Sequence, residues 1–167
     1  MLDYPVLLIF PLAMAYAAVM DIFTMTIPNR VSLALIVGFY CVALLSGMAW
    51  LDMLKHTGVA LAVLVFTIGL FSQGWLGGGD AKLLPAAALW FGYTQVLDYL
   101  ILVALFGGVL SLMLLSFRNL VPSVLVTGRE WAERLHDKKS GIPYGVALAA
   151  AGLWLYPKSD IFQAFFA

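Results

Sequence analysis

Charged residues are scarce in this chain. Asp, Glu, Lys and Arg together make up 11% of its 167 residues, whereas hydrophobic residues make up 63%. Typical soluble domains carry about 25% charged residues. The nine basic and nine acidic residues cancel, so the overall charge gives no reason to expect nucleic-acid binding. This composition excludes an ordinary soluble domain and favours a membrane protein.

Cysteine and histidine are also nearly absent. Cys41 is the single cysteine, and it lies in an apolar run. An intramolecular disulfide and a zinc site built from several cysteines are therefore both excluded. We expect the protein to hold no metal and to use no cofactor.

Long apolar runs are what the chain has in quantity. A membrane-spanning helix needs roughly 20 mostly apolar residues. The first, second and fifth runs meet this length, and the others are short. We expect an all-α membrane protein, a single domain over residues 1–167 with a bundle of about six transmembrane helices. The six runs cover residues 4–20, 31–50, 57–71, 81–93, 99–117 and 142–156.

The distribution of Lys and Arg predicts the orientation of these helices. With six spans, seven basic residues fall on one side and only Lys55 and Lys158 on the other. Because basic residues concentrate in cytoplasmic loops, that side is expected to be cytoplasmic and both termini to lie outside the cytoplasm. The seven residues are Arg30, Lys82, Arg118, Arg129, Arg134, Lys138 and Lys139.

The longest polar segment, residues 118–141, belongs to the expected cytoplasmic side. Trp131 has the amphipathic ring typical of membrane interfaces, so we expect a short surface-lying helix within this loop. Its charges are interpreted as a solvated face and a topology signal. The alternative is that its basic residues bind a substrate or an anionic lipid.

The stretch from Gly77 to Lys82 reads Gly-Gly-Gly-Asp-Ala-Lys and separates the third and fourth runs. An acid at the edge of a membrane core is costly, so Asp80 is a candidate functional residue. The fourth run covers only about 20 Å as a helix. We therefore expect a recessed site at Asp80 and a helix that begins near Leu83, with Pro85 in its first turn. The alternative is that Asp80 merely caps the helix.

A second acid, Asp21, follows directly on the first apolar run. Pro28 breaks helical continuity a few residues later, and Asn29 or Ser32 could cap the second helix. Asp21 could simply end the first helix at the interface. The helix dipole disfavours a carboxylate at that position, however, so another role is indicated.

Two aspartates on one membrane face suggest the catalytic pair of an aspartic protease. Two close carboxyl groups cannot both ionise, and the shared proton lets one activate water while the other donates a proton. The glycines would allow the carboxylate and a substrate backbone to approach closely. Lys82 could orient Asp80 or meet an acidic substrate residue, and it could equally reach lipid headgroups. His56 maps to the opposite side and His136 to the long loop.

These motifs together resemble the type IV prepilin peptidases, the G-x-G-D class of membrane aspartic proteases. The matching residues are Asp21 with Ile27-Pro28-Asn29, then Gly77 to Leu83, and finally Ile142-Pro143-Tyr144-Gly145. The resemblance implies six membrane helices, with Asp21 and Asp80 catalytic and Gly77, Gly79, Lys82, Pro28 and Asn29 supporting the turn or the substrate. It also implies membrane lipids as surroundings and a pilin precursor as substrate. The short basic leader of the precursor would be removed at the cytoplasmic face, just before its apolar helix.

The chain departs from the larger bacterial members of that family. Those enzymes carry paired C-x-x-C motifs in an added cytoplasmic region and also methylate the new terminus. With one cysteine, this chain is more similar to the short, peptidase-only branch of tight-adherence (Flp-type) pili or to the archaeal preflagellin peptidases. No methyltransferase activity is expected.

Three other functions stay open at the level of sequence. An intramembrane protease of presenilin type shares G-x-G-D, although its first acid lies within a helix. A small transporter could use the two acids to bind cations, although such acids usually lie on broken helices near the midplane. A non-catalytic assembly scaffold could use both acids only as helix caps.

Overall fold

The computed structural model describes residues 6–164, and all regular structure in that part of the chain is helical. The all-helical fold expected from the sequence is thus confirmed. The beginning of the first apolar run and both chain ends, which we expect outside the cytoplasm, lie beyond the described residues. In chain order the helices are α1 (Ile9–Thr24), α2 (Asn29–Leu45), α3 (Trp50–Ser72), α4 (Gly78–Leu120), α5 (Glu130–His136), α6 (Tyr144–Leu155) and α7 (Asp160–Gln163). Two 3-10 turns, Ser123–Leu125 and Tyr156–Lys158, complete the structure.

The first arm of α4, residues 78–91, is the centre of the bundle. Apart from Lys82, every residue from Asp80 to Gly92 is buried. Helices α2, α3 and α6 pack against α4. The Trp90 indole donates a hydrogen bond to the Leu35 carbonyl of α2 at 3.0 Å. This arm is mostly apolar because neighbouring helices bury most of its surface.

Gly92 turns α4 back on itself. Its backbone has φ 58° and ψ −162°, which a residue with a side chain rarely adopts. A Cβ there would also lie 2.5 Å from the His56 ring. The second arm, residues 93–120, runs back beside α6, where Tyr99 Oη donates to the Leu148 carbonyl at 3.3 Å. The predicted fourth and fifth apolar runs are therefore two arms of one interrupted helix, with no loop between them.

Several helices extend beyond the predicted apolar runs. The third was expected to be short, beginning at residue 57, but α3 begins at Trp50 and has 23 residues. Its first two turns contain Lys55, which donates to Asp52 one turn earlier at 2.8 Å. The first run was expected to end at residue 20, whereas α1 continues to Thr24. Local pairing and burial allow a helix to contain polar residues that a hydropathy pattern excludes.

The beginning of α4 also corrects a sequence-based expectation. The helix starts at Gly78 rather than near Leu83, so Pro85 lies inside it and not in the first turn. Proline has no N–H and leaves the carbonyl four residues earlier without its helical partner. That carbonyl belongs to Ala81, and it accepts a hydrogen bond from Thr67 Oγ1 of α3 at 3.0 Å. A neighbouring helix thus compensates for the proline, as membrane helices permit.

Two helices in the described part of the chain, α3 and α4, are long and apolar enough to cross a membrane. The shorter helices α1 and α2 are apolar as well. Large apolar side chains cover their outer surfaces, including Leu12, Val65 and Leu112, each more than 60% exposed.

The segment between α4 and α6 folds against the bundle. It contains the short helix α5, and the Trp131 ring meets the Phe23 ring edge-on at a centroid distance of 5.6 Å. The buried Arg118 guanidinium donates to the carbonyls of Leu135, Ser140 and Gly141 at 2.7 to 3.0 Å. One buried cation therefore anchors the chain just before α6.

Candidate active site

Asp21 lies in the last turn of α1 and not after the helix. Met25 ends the helix in a left-handed conformation with φ 53°, and its N–H donates to the Asp21 carbonyl at 2.9 Å. The Asp21 side chain is 5% exposed. Its Oδ2 accepts a hydrogen bond from the backbone N–H of Gly145, the second residue of α6, at 2.7 Å. The carboxyl group is thus fixed inside the protein by the N-terminus of another helix.

Asp80 lies in the first turn of α4. It is 9% exposed, and its Oδ1 is buried without a hydrogen-bond partner. No side-chain hydrogen bond caps this helix, so the alternative role of Asp80 as a simple cap is not observed. A buried acceptor without a partner is costly, so its presence at this position needs an explanation.

Both carboxyl groups line one cavity of about 320 Å³. The loop between α1 and α2 and the glycine turn before α4 form the rest of its wall. The other lining residues are Met25, Thr26, Ile27, Asn29, Gly77, Gly78, Gly79 and Lys82. The structure therefore brings together the two acids and every supporting residue predicted from the sequence except Pro28.

The glycines allow close contacts on two sides of the turn. A Cβ at Gly77 would lie 3.0 Å from Asp80 Oδ2, and one at Gly79 would lie 3.0 Å from the Ile27 Cβ. Such distances are tighter than ordinary side-chain contacts. The first glycine makes room for the carboxyl group, and the third lets the α1–α2 loop pack on the start of α4.

Asn29 and Lys82 line the cavity, whereas Pro28 does not. Pro28 is the N-cap residue of α2, and Asn29 is the first residue of that helix, with no side-chain cap. The Asn29 side chain instead accepts a hydrogen bond from Lys82 Nζ at 3.1 Å. Lys82 makes no ion pair with Asp80, and its ammonium group lies at the rim of the cavity.

Gly145 contacts Asp21, although the sequence identified this glycine only as part of the Ile-Pro-Tyr-Gly motif. A Cβ at this position would lie 2.8 Å from Asp21 Oδ2 and 2.8 Å from Ile27 Cδ1. The preceding Tyr144 ring fills a notch at Gly107, where a Cβ would lie 2.7 Å from the ring. These contacts position the N–H of Gly145 beneath Asp21. The Ile-Pro-Tyr-Gly pattern was the available signal, but it does not reveal which carboxyl group the glycine meets.

The two histidines lie away from the cavity. His56 Nδ1 is 2.8 Å from the Leu89 carbonyl, close to Gly92 at the other end of the first arm. His136 Nε2 is 2.7 Å from the Val121 carbonyl. Within residues 6–164, no three His, Cys, Asp or Glu side chains are grouped as a metal would require.

The fold and the cavity define an α-helical protein with a paired-carboxyl site. Residues 8–112, which include both aspartates, match the Type IV leader peptidase family. This match covers more than half of the chain, and the protein belongs to that peptidase family. No curated protein and no solved structure matches the chain.

Proposed function

We propose that the protein is a membrane aspartic endopeptidase that removes the short basic leader of type IV prepilins, of the Flp type, at the cytoplasmic membrane face. Membership of a leader peptidase family supports this class of substrate. The proposal includes six membrane-spanning segments: α1, α2, α3, the two arms of α4, and α6. The apolar outer surfaces of these helices support a lipid environment for them.

The pairing of Asp21 and Asp80 at one cavity carries this proposal. The two residues come from the ends of different helices, yet both side chains are buried and line the same cavity. A structural role explains neither the absence of a cap at Asp80 nor its orphaned Oδ1. A catalytic role explains both, because a carboxyl group that makes no hydrogen bond within the protein can share a proton with the second acid.

The chemistry follows from two carboxyl groups that share one proton. The ionised carboxylate takes a proton from a water molecule, whose oxygen attacks the carbonyl carbon of the scissile peptide. The protonated carboxyl group donates to the carbonyl oxygen, which gives a tetrahedral diol. When the C–N bond breaks, the carboxyl group that took the water proton gives it to the leaving nitrogen, and the ionised carboxylate takes a proton from a diol hydroxyl. The pair is then again singly protonated. No fixed acid and base are assigned, because the pair titrates as a unit.

The supporting residues act on this pair or on the substrate. The Gly145 N–H holds Asp21 in place, and Gly77 and Gly79 let the Asp80 carboxyl group and the α1–α2 loop form the cavity wall. Lys82 and Asn29 form a polar rim at the cavity mouth. This rim could orient the backbone of the substrate on its way into the cavity.

A co-expression experiment tests the function. The protein is produced with a pilin precursor from the same genome, and precursor size is compared on a gel for wild type, Asp21→Asn and Asp80→Asn. Asp98→Asn is the matched control, since Asp98 is an exposed acid on the second arm of α4 and does not line the cavity. We expect cleavage by wild type and the control, and none by the two site variants at equal membrane content. Cleavage by either site variant would contradict the proposal.

A further inference from the structure

An apolar groove of about 430 Å³ opens beside the paired-carboxyl cavity. Helices α2 and α3 form its walls, and the first arm of α4 forms its floor. Both wall helices pack on α4 but make few contacts with each other, which leaves the groove open to the outside. The wall side chains repeat every three or four residues, as one helix face requires. They include Leu33, Ile36 and Tyr40 from α2, and Thr57, Leu61 and Leu64 from α3.

The groove adjoins the site at one end, and a hydrogen bond joins its two walls at the other. Asn29 and Lys82 line both the groove and the paired-carboxyl cavity, so the two spaces meet at these residues. At the far end, Tyr40 Oη and Thr57 Oγ1 share a hydrogen bond of 2.9 Å that joins the two walls. From Asn29 to Tyr40 the wall of α2 is roughly 17 Å long, which corresponds to three helical turns.

We propose that this groove receives the apolar helix of the substrate, immediately after the bond that is cut. This inference rests on the proposed function, because a chain cleaved between Asp21 and Asp80 must continue directly into the adjoining space. The segment would run parallel to α2, with its cleaved end at Asn29 and Lys82 and its third turn at Tyr40.

The shape of the groove favours a helix over a lipid chain as the occupant. Its walls and floor present three stripes at helical spacing, and ridges of a fourth helix pack into such a surface. The floor contains the short side chains of Pro85 and Ala86 beside Leu89, so a helix can approach this part of the first arm of α4 closely. A lipid acyl chain, by contrast, would not require the groove to adjoin the polar cavity.

Filling the groove tests the proposal. Ile36→Trp and Leu61→Trp place a large ring in the groove from opposite walls. Val37→Trp and Val65→Trp are matched controls, because these exposed aliphatic neighbours on the same helices do not line the groove. All variants are assayed in membranes with a full-length pilin precursor. We expect kcat/KM to fall at least about tenfold for the groove variants and less than about twofold for the controls.

A cross-linking measurement identifies the occupant directly. In a Cys41→Ser, Asp80→Asn background the precursor is not cut, and single cysteines are placed at Ile36, Leu61 or Val65. A precursor with one cysteine in its apolar segment is then tested for disulfide formation with each. We expect cross-links from the first two positions and none from the third.

The outcomes separate the two proposals. If wild type does not cut the precursor, the proposed function and the groove assignment both fail. If wild type cuts and the groove variants cut equally fast, the groove assignment alone is wrong. If only Val65→Cys forms a cross-link, the groove assignment is also wrong, and lipid remains as the occupant of the groove.

Discussion

Replacing Gly145 by alanine should impair catalysis although no catalytic side chain is changed. Gly145 lies in the first turn of α6, and its N–H donates to Asp21 Oδ2 at 2.7 Å. A Cβ at this position would lie 2.8 Å from that same oxygen and from Ile27 Cδ1. The new methyl group, the Asp21 carboxyl group and the Ile27 side chain cannot all keep their places. The carboxyl group is held by a single hydrogen bond, so it is the group that moves. The variant therefore displaces Asp21 from its present position.

The size of the effect follows from the hydrogen bond that is lost. A hydrogen bond to a charged group contributes about 1.5–3 kcal/mol. Each 1.4 kcal/mol changes a rate or equilibrium about tenfold, so a loss that falls wholly on the transition state lowers the cleavage rate about 10- to 100-fold. Helix propensity alone predicts no such loss of rate, because Gly→Ala within a helix stabilises the helix by about 1 kcal/mol.

The assay is the initial rate of precursor cleavage in membranes at equal enzyme content. Gly141→Ala serves as the control, because a Cβ at Gly141 meets nothing within 4 Å although it precedes the same helix. We expect the control to cleave at the wild-type rate. A Gly145→Ala enzyme within about twofold of wild type would refute the role of this N–H, since a lost hydrogen bond of this kind cannot cost so little.

Three further substitutions test other contacts. Gly79→Val should lower the cleavage rate, measured in the same membrane assay. A Cβ at residue 79 would lie only 3.0 Å from the Ile27 Cβ, so the larger side chain of valine pushes the α1–α2 loop away from the cavity. Thr67→Val should lower the unfolding midpoint in detergent, at a cost of about 1 kcal/mol, because it leaves the Ala81 carbonyl without a partner. Gly92→Ala should strongly reduce the amount of folded protein in membranes, measured by protease resistance, because the corner of α4 needs a positive φ.

Each of these substitutions has its own control. Gly108→Val and Gly69→Ala add side chains where a Cβ meets nothing within 4 Å, so both should behave as wild type. For Thr67→Val, the second substitution Pro85→Ala restores an N–H for the free carbonyl. The double variant should therefore recover the stability lost in Thr67→Val. If the effects of the two substitutions on stability simply add, the compensation described for α4 is wrong.

The sequence predicted the residues of the site better than the boundaries of the helices. Asp21 and Asp80 were singled out because acids are costly at a membrane edge, and both line one cavity. Composition cannot reveal where a helix ends, however. The first apolar run was predicted to end at residue 20, just before the charged Asp21, whereas α1 runs on to Thr24 and buries that residue.

The start of α4 was misplaced for a related reason. Proline is favoured in the first turn of a helix, and Pro85 therefore predicted a helix that begins near Leu83. Tertiary contacts override that preference. Thr67 supplies the hydrogen bond that Pro85 cannot, and it lies fourteen residues away on another helix. A single sequence contains no signal that pairs those two residues.

The corner at Gly92 and the role of Gly145 also depend on the assembled fold. Gly92 is one of fifteen glycines in the chain, and nothing in its neighbourhood distinguishes it from the others. Its φ of 58° becomes necessary only because the two arms of α4 must pack side by side. Gly145 is 124 residues from Asp21, so their contact can be known only from the structure.

The catalytic pairing of Asp21 and Asp80 is tested most directly with purified protein in liposomes. A full-length precursor is added, and the products are identified by mass for wild type, Asp21→Asn, Asp80→Asn and Asp98→Asn. We expect wild type and Asp98→Asn to release the leader just before the apolar segment, and each site variant to be slower by at least about 10³-fold. Leader release by Asp80→Asn at a rate near that of wild type would contradict the paired-carboxyl mechanism.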